Sequence, residues 1–183
     1  MIIELTNTGQ TTYWNPPYGI TFLGFGTGSS KVSVTIREAI VSFLNNISPL
    51  TNIVGSRIYW NVPSQKSNYP TISVQVPDRT WGHNLDGADG TSTATFEITF
   101  QHSNPGGHGE STVVAMAEAA RNKLDGFRGL MAGVSVLSIF LQEEEDEYTN
   151  PPDGSDNWIY RIVHTYRVRH RVPAPTSVTQ KNV

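Results

Sequence analysis

The feature that most constrains the fold is the stretch at residues 158–172. Even positions place Trp158, Tyr160, Ile162, Tyr166, Val168 and Val172 in one register, together with His164 and His170. Odd positions carry Arg161, Thr165, Arg167, Arg169 and Arg171, interrupted by Ile159 and Val163. A strand turns successive side chains to opposite faces, so the stretch reads as one ribbon with an apolar-aromatic face and an arginine face. At ~3.3 Å per residue it would run about 45–50 Å, against a usual strand of roughly 5–6 residues. Such a strand is expected to leave its own domain body and pair with another molecule. The chain reads as part of an assembly.

Composition narrows the classes. Hydrophobic residues make up 37% of the 183 residues and charged residues 16%, both low for a soluble enzyme. Gly, Pro, Asn, Ser and Thr, the residues of turns and exposed strands, make up the difference. A net charge of −3 gives no overall attraction to nucleic acid or anionic lipid. The lack of cysteine excludes disulfide scaffolds, thiolate zinc sites and cysteine nucleophiles. Neither a secretory signal nor an apolar window approaching 18 residues is visible. A soluble α+β domain made inside a cell, with no membrane partner, is expected.

Residues 1–30 form an extended N-terminal arm. Pro and Gly argue against a helix there, while Tyr13, Trp14, Tyr18, Phe22 and Phe25 are rings that seek a surface. The arm is either a loose leader or a segment that orders on a neighbouring subunit. An α+β domain follows over residues 31–172. Thr35 and Glu38 are spaced as a capping box, and Ile36, Ala39, Ile40, Phe43, Leu44 and Ile47 give the first helix its apolar face. Ser48, as cap, and Pro49 start a short helical turn, and a short strand begins near Arg57. A second strand carries Ile72, Val74 and Val76 to the core and stops at Pro77; residues 78–91 read as a Gly- and Asp-rich loop around Trp81. Residues 93–101 alternate cleanly, with Ala94, Phe96, Ile98 and Phe100 on one face. A second helix is capped by Ser111, with Val114, Ala117, Ala120, Arg121 and Leu124 as its stripe and Gly126 as its stop. After a turn around residues 127–133, a strand over 134–142 and the long ribbon form a hairpin with an acidic end, and residues 173–183 trail as an extended tail. The expected architecture is a mostly antiparallel β-sheet with two α-helices packed on one face, a long C-terminal β-hairpin and an extended N-terminal arm.

Chemistry is hard to place. His102, His108 and Glu110 are spaced as loop ligands for a metal, but the residues between them are ordinary turn formers. Glu143, Glu144, Glu145, Asp146 and Glu147 offer paired carboxylates, yet an exposed hairpin end makes no closed pocket for glycoside hydrolysis. A solvated edge that discourages stray strand pairing explains them better. No GxSxG motif is present, and the glycines of residues 24–28 are not followed by a phosphate-binding lysine. No catalytic residue, metal or cofactor is assigned, and no enzyme is expected. Arg161, Arg167, Arg169 and Arg171 are the concentrated basic feature. They suit either a nucleic-acid backbone or carboxylates, and the negative net charge favours carboxylates, such as the 143–147 run of an adjacent copy. A basic strand and an acidic edge on one chain suit head-to-tail contacts of the kind that close rings.

A series of short motifs then takes on meaning by its order. A helix leads to Ser48, Pro49 and Leu50, then Gly55, Arg57, Ile58 and Tyr59, then Val62 with Pro63 and Tyr69 with Pro70 and Ile72. Phe96 and Phe100, an alanine-rich helix ending in Leu124, Asp125 and Gly126, and a last strand with Tyr160, Arg161, Tyr166, Arg167 and Val168 complete it. Over roughly residues 35–172 this resembles the tail-completion and tail-terminator proteins of tailed bacteriophages; residues 1–30 depart from the pattern. The resemblance implies a hexameric ring of α+β subunits that caps the tail tube, stops its polymerisation and presents a surface to the head or neck. It implies partners in the tail tube protein and the neck or head-completion proteins, DNA passing transiently through the bore, assembly in the host cytoplasm, and a place in the virion. It brings no catalytic residues. On this reading Arg161, Arg167, Arg169 and Arg171 meet a neighbour or the tube, residues 143–147 face the bore or a neighbour's arginines, and Tyr13, Trp14 and Tyr18 clasp an adjacent protein. The alternatives are a tail-tube or other neck-ring subunit and, from another class, a carbohydrate-binding module using Trp14, Trp60 and Trp81.

Overall fold

A computed structural model describes residues 34–61, 68–85, 87–103, 109–149 and 158–173. The arm with Tyr13, Trp14 and Tyr18, the tail past Pro173, and His108 lie outside the described residues. The elements are α1 (Ile36–Asn45), α2 (Ser48–Val54), β1 (Ile58–Trp60), β2 (Thr71–Asn84), β3 (Gly87–Ser103), α3 (Gly109–Leu124), β4 (Gly129–Met131), β5 (Val134–Thr149) and β6 (Ile159–Arg171). They form an α+β fold whose six-stranded sheet has the order β1-β2-β3-β6-β5-β4. Every pairing is antiparallel except β1 with β2.

The first helix starts as its sequence dictates. The Glu38 carboxylate accepts from the Thr35 backbone N–H at 2.8 Å, and the Thr35 hydroxyl accepts from the Glu38 N–H at 3.3 Å. Two otherwise orphaned donors are thereby satisfied. The short turn after it is a true helix, so three helices cover the sheet where two were expected. Ser48 is its first helical residue and Ile47 the capping position, without a side-chain cap bond, so Ser48 is not the cap. The third helix likewise begins earlier than Ser111, at Gly109. Its buried stripe is Val113, Met116, Ala117, Ala120 and Leu124, while Val114 is exposed. The 113-117-120-124 series sets the phase, and Val114 falls one step, or ~100°, off it.

Pro77 does not end its strand. β2 runs on to Asn84 and turns directly into β3, so most of the expected loop over 78–91 is a hairpin arm. Two circumstances permit it. The ladder shifts register between Gln75 and Asp78, and β1 pairs only with Ile72, Ser73 and Val74 on the far side of β2. A proline lacking an N–H is tolerated at such a bulge on an edge. Farther along, Gly82 leaves the space of a Cβ to the Asp89 carboxylate. Both the N–H and the hydroxyl of Thr91 hold that carboxylate at 2.8 Å.

The long ribbon does not leave the domain. β3 flanks β6 from Thr91 to Ser103 and β5 flanks it from Val136 to Thr149, so β6 is central to the sheet. Its neighbours are as long as it is, which the length of one strand could not reveal. The two faces are nevertheless as read. Tyr160, Ile162, His164, Tyr166, Val168 and His170 are buried under the helices, and Arg167, Arg169 and Arg171 are exposed. Phe96 stacks on Tyr166 at 5.1 Å between ring centroids, joining β3 to β6 at the centre of the core.

Candidate assembly surface

The face of the sheet opposite the helices carries the sequence-predicted arginines. In register on it lie Thr93 beside Arg169, Thr95 beside Arg167 and Gln101 beside Arg161 from β3, with Ser138 beside Arg169 and Phe140 beside Arg167 from β5. Phe140, 45% exposed, adds an apolar spot among the arginines. Arg161 is set apart from the other three. Its guanidinium donates to Gln101 Oε1 at 3.1 Å and lies 3.9 Å from Glu147, so it is already engaged within the chain. The exposed end of the group is Arg167, Arg169 and Arg171.

The acidic run is strand rather than hairpin end. β5 continues through it to Thr149, pairing Glu143 with Thr165, Glu144 with His164, Glu145 with Val163, Asp146 with Ile162 and Glu147 with Arg161. Glutamate is a poor strand former alone, but pairing along β6 outweighs that preference. Alternation divides the run. Glu143, Glu145 and Glu147 join the open face, while Glu144 and Asp146 turn to the margin of the helix-covered face. There Glu144 lies 3.6 Å from Arg121 of α3 and 2.7 Å from His164 Nε2, close but without the alignment of a hydrogen bond. Burial and then Asp146 push the Tyr160 phenol up to about 12. The far edge of β5 is covered only in its first half. β4 pairs with Val134, Ser135 and Val136. The turn after α3 then bonds to the strand, with Gly126 N–H donating to the Ile139 carbonyl and Leu141 N–H to Asp125 Oδ1. Among the described residues no strand lies beside residues 143–149 on that side.

The open face is therefore electrically bipolar. Its basic half (Arg167, Arg169, Arg171) and its acidic half (Glu143, Glu145, Glu147) adjoin along one hairpin: Glu143 stands opposite Thr165, two residues from Arg167, and the centres of the two groups lie about 20 Å apart at strand rise. Neither end is a desolvated pocket of convergent acid, base and nucleophile.

At the basic end, on the helix side, the structure adds a feature without a counterpart in the sequence reading. A cavity of about 540 Å³ opens between the start of α1 and the ends of β2, β5 and β6. Arg79, Trp81, His170 and Arg171 line it. The Arg79 guanidinium sits 4.2 Å over the Trp81 ring, and its Nε–H donates to Ser92 Oγ at 3.1 Å. Arg79 Nη2 lies 3.4 Å from His170 Nε2. Arginine only donates, so Nε2 is the acceptor and the imidazole proton sits on Nδ1. That Nδ1–H is buried and, like His102 Nδ1 and His164 Nε2, has no hydrogen-bond partner among the described residues. Burial, then the adjacent Arg79 charge, pushes His170 down to about 4, which keeps it neutral at pH 7.

Sequence reading missed Arg79 because it stopped the strand at Pro77. The signal was present: past the bulge, Arg79 and Trp81 alternate with Asp78 and Thr80 just as a strand demands. His170 was placed on the correct face, but its lack of a partner depends on Arg79 and could not be seen. The other candidates are not gathered. His102 is half-buried, Glu110 exposed, and among the described residues no three His, Asp or Glu are grouped to hold a metal ion. Trp60 and Trp81 each carry a guanidinium over the ring, Arg37 at 5.4 Å and Arg79 at 4.2 Å, so one side of each aromatic platform is occupied. No helix among the described residues is long and apolar enough to cross a membrane.

The geometry defines a class of protein: an α+β domain whose mixed sheet buries one face under helices and, among the described residues, leaves the other, bipolar in charge, uncovered. No family model matches the chain, and no curated protein matches it. Among solved structures it is similar to a chain described as the virion of a native gene transfer agent particle. The TM-score is 0.50 and the identity 19%, over 67% of this chain and 84% of that one. At that identity the likeness is one of fold.

Proposed function

We propose that this chain is a structural virion protein, a non-catalytic subunit that closes into a ring, hexameric on the phage resemblance, caps the tail tube and ends its polymerisation. The same ring offers the surface that joins tail to head or neck, and DNA crosses its bore during ejection. The observation that carries this reading is the fold shared with a chain of a gene transfer agent virion. The phage-tail pattern over residues 35–172 supports the finer role. The open bipolar face supports ring closure, because complementary patches on one subunit give heterologous contacts. The acidic residues on the free edge at 143–149 support termination, since an edge dense in carboxylates resists further strand addition.

Native mass measurement and negative-stain microscopy of the purified protein test this. Single closed rings that bind the end of a phage tail tube are the expected result. Long tubes would instead assign the chain to the tube. A lone monomer at high concentration that ignores phage tubes would remove the ring and the tail together.

A further inference from the structure

We propose that the outer face of α3 in one copy of this chain packs on the arginine row of the open sheet face in the next copy, with Glu110 and Glu118 meeting Arg167 and Arg171 and Val114 meeting Arg169. The proposal deepens the ring reading and rests on it.

Both surfaces are unpartnered within one molecule. Arg167, Arg169 and Arg171 are exposed, and among the described residues they form no ion pair. Other arginines of the sheet are engaged: Arg79 lies over Trp81, and Arg161 is held by Gln101 and Glu147. On α3, Met116, Ala117 and Ala120 are buried, while Glu110, Val114 and Glu118 recur every four residues along the outer side. All three are exposed, and neither carboxylate forms an ion pair among the described residues. A shallow hollow of about 430 Å³ lies among them, lined also by Ser111 and Ala115. Short side chains leave room there for the stem of a long one, whose charged head then reaches a carboxylate.

Spacing and charge match. Glu110 and Glu118 stand ~12 Å apart along a helix that rises about 1.5 Å per residue. Arg167 and Arg171 stand ~13 Å apart along a strand that rises about 3.3 Å per residue. A helix laid along the strand therefore puts a carboxylate beside each outer guanidinium, a pairing that gives strong, charge-assisted bonds. The stem of Arg169 falls on Val114, and Phe140, exposed beside Arg167, adds an apolar contact. Layering points the same way. A sheet held between two helical layers is a stable arrangement. Here the chain supplies one layer, and the helix of the next copy supplies the other. Helix side against open side is front against back, so each copy keeps one surface for a further copy, as a closed ring requires.

Charge reversal and mixing test the contact. E110R/E118R makes both surfaces basic, and R167E/R171E makes both acidic. All four side chains are exposed, so the urea midpoint of each variant should match that of the unaltered chain. Sedimentation velocity and native mass are expected to show rings for the unaltered chain. Each variant alone should need a roughly hundredfold higher concentration to assemble, since like charges then meet at every contact. An equimolar mixture should assemble near the concentration of the unaltered chain, with the two variants alternating, because every acidic surface finds a basic one. If a reversed variant loses its fold, the milder E110Q/E118Q decides: roughly tenfold is expected, and an unchanged concentration overturns the contact. Rings from E110R/E118R alone at the concentration of the unaltered chain would overturn the helix contact and leave the ring standing. So would two folded variants that do not assemble when mixed. An unaltered chain that stays monomeric fails the ring reading itself.

Discussion

Two histidines six residues apart on one face of β6 show how differently charge is placed in the two parts of this sheet. His164 and His170 are 0% and 1% exposed. Around His164 one ring nitrogen is bonded and the other faces a negative charge without a hydrogen bond. Nδ1 lies 3.0 Å from the Tyr166 hydroxyl, Nε2 lies against the Glu144 carboxylate, and Phe100 meets the ring edge-on at 5.1 Å. Around His170 the Arg79 guanidinium lies against Nε2, and Nδ1 is buried without a partner among the described residues. Buried polar groups in a finished core are paired. Each imidazole has one nitrogen with a hydrogen-bond partner among the described residues, and the two differ in the charge beside the ring, a carboxylate at His164 and a guanidinium at His170.

The comparison is broken most sharply from the open face. Reversing Arg167 and Arg169 together, in R167E/R169E, is expected to weaken ring formation by about a hundredfold or more, since like charges brought together at an interface cost several kcal/mol. The urea midpoint of the monomer should barely move, because both side chains are exposed and surface changes stay within about 0.5 kcal/mol. Unchanged sedimentation of the folded double variant would count against the open face as an interface.

The covered face answers in the opposite way. Tyr166→Ala removes a fully buried ring stacked on Phe96, and should cost about 3–5 kcal/mol in urea unfolding. The change sits next to Arg167, so adjacent positions of one strand should differ by nearly that whole amount. A loss below about 1 kcal/mol at Tyr166 would mean that the centre of the core lies elsewhere.

How much of this was readable beforehand follows from the range of each interaction. The two faces of β6 came from a period of two, a local property that any strand pairing preserves, and so did the buried set on β3. The capping box on α1 is local as well. Errors gathered where a distant partner decides. Pro77 is compatible with a strand only because β1 ends at Trp60, and the acidic run is a strand only because β6 lies beside it. The length of β6 suggested a strand leaving the domain, whereas β3 and β5 enclose it. The arginine group was legible by composition, but its division into an engaged Arg161 and three exposed residues needed Gln101 and Glu147 in register. The cavity was the least legible part. It joins Val34 to Pro173 through Arg79, and sequence alone puts none of these near another.

Leucine at each histidine sharpens the contrast on a smaller scale. His164→Leu deprives the Tyr166 hydroxyl of its partner in the core and takes the imidazole from Glu144, so a loss of about 1–3 kcal/mol in urea unfolding is expected. His170→Leu removes an N–H that had no acceptor, and only Arg79, which keeps Ser92 and Trp81, loses a contact. Its cost should stay within about 1 kcal/mol. Equal losses at the two positions would erase the distinction between an imidazole beside a carboxylate and one beside a guanidinium.

The smallest effect is one of slope with pH, and its sign follows from burial. His170 is pushed down to about 4 in the folded chain, first by burial and then by Arg79, against roughly 6.5 for an unfolded histidine. Between those values the unfolded chain takes up a proton that the folded chain refuses. The stability from neutral His170 is therefore complete above pH 6.5 and drains as the pH falls towards 4. One such proton sets a ceiling of about 1.4 kcal/mol per pH unit. His164 drifts the same way through burial, opposed in part by the Glu144 charge, so the unaltered chain sums both. Urea midpoints of the unaltered chain and His170→Leu, taken from pH 7 to pH 5, isolate the contribution. The variant should lose stability less steeply with acid. Parallel curves would mean that the imidazole already protonates freely in the fold, and that the site around it is wet and satisfied in the single molecule.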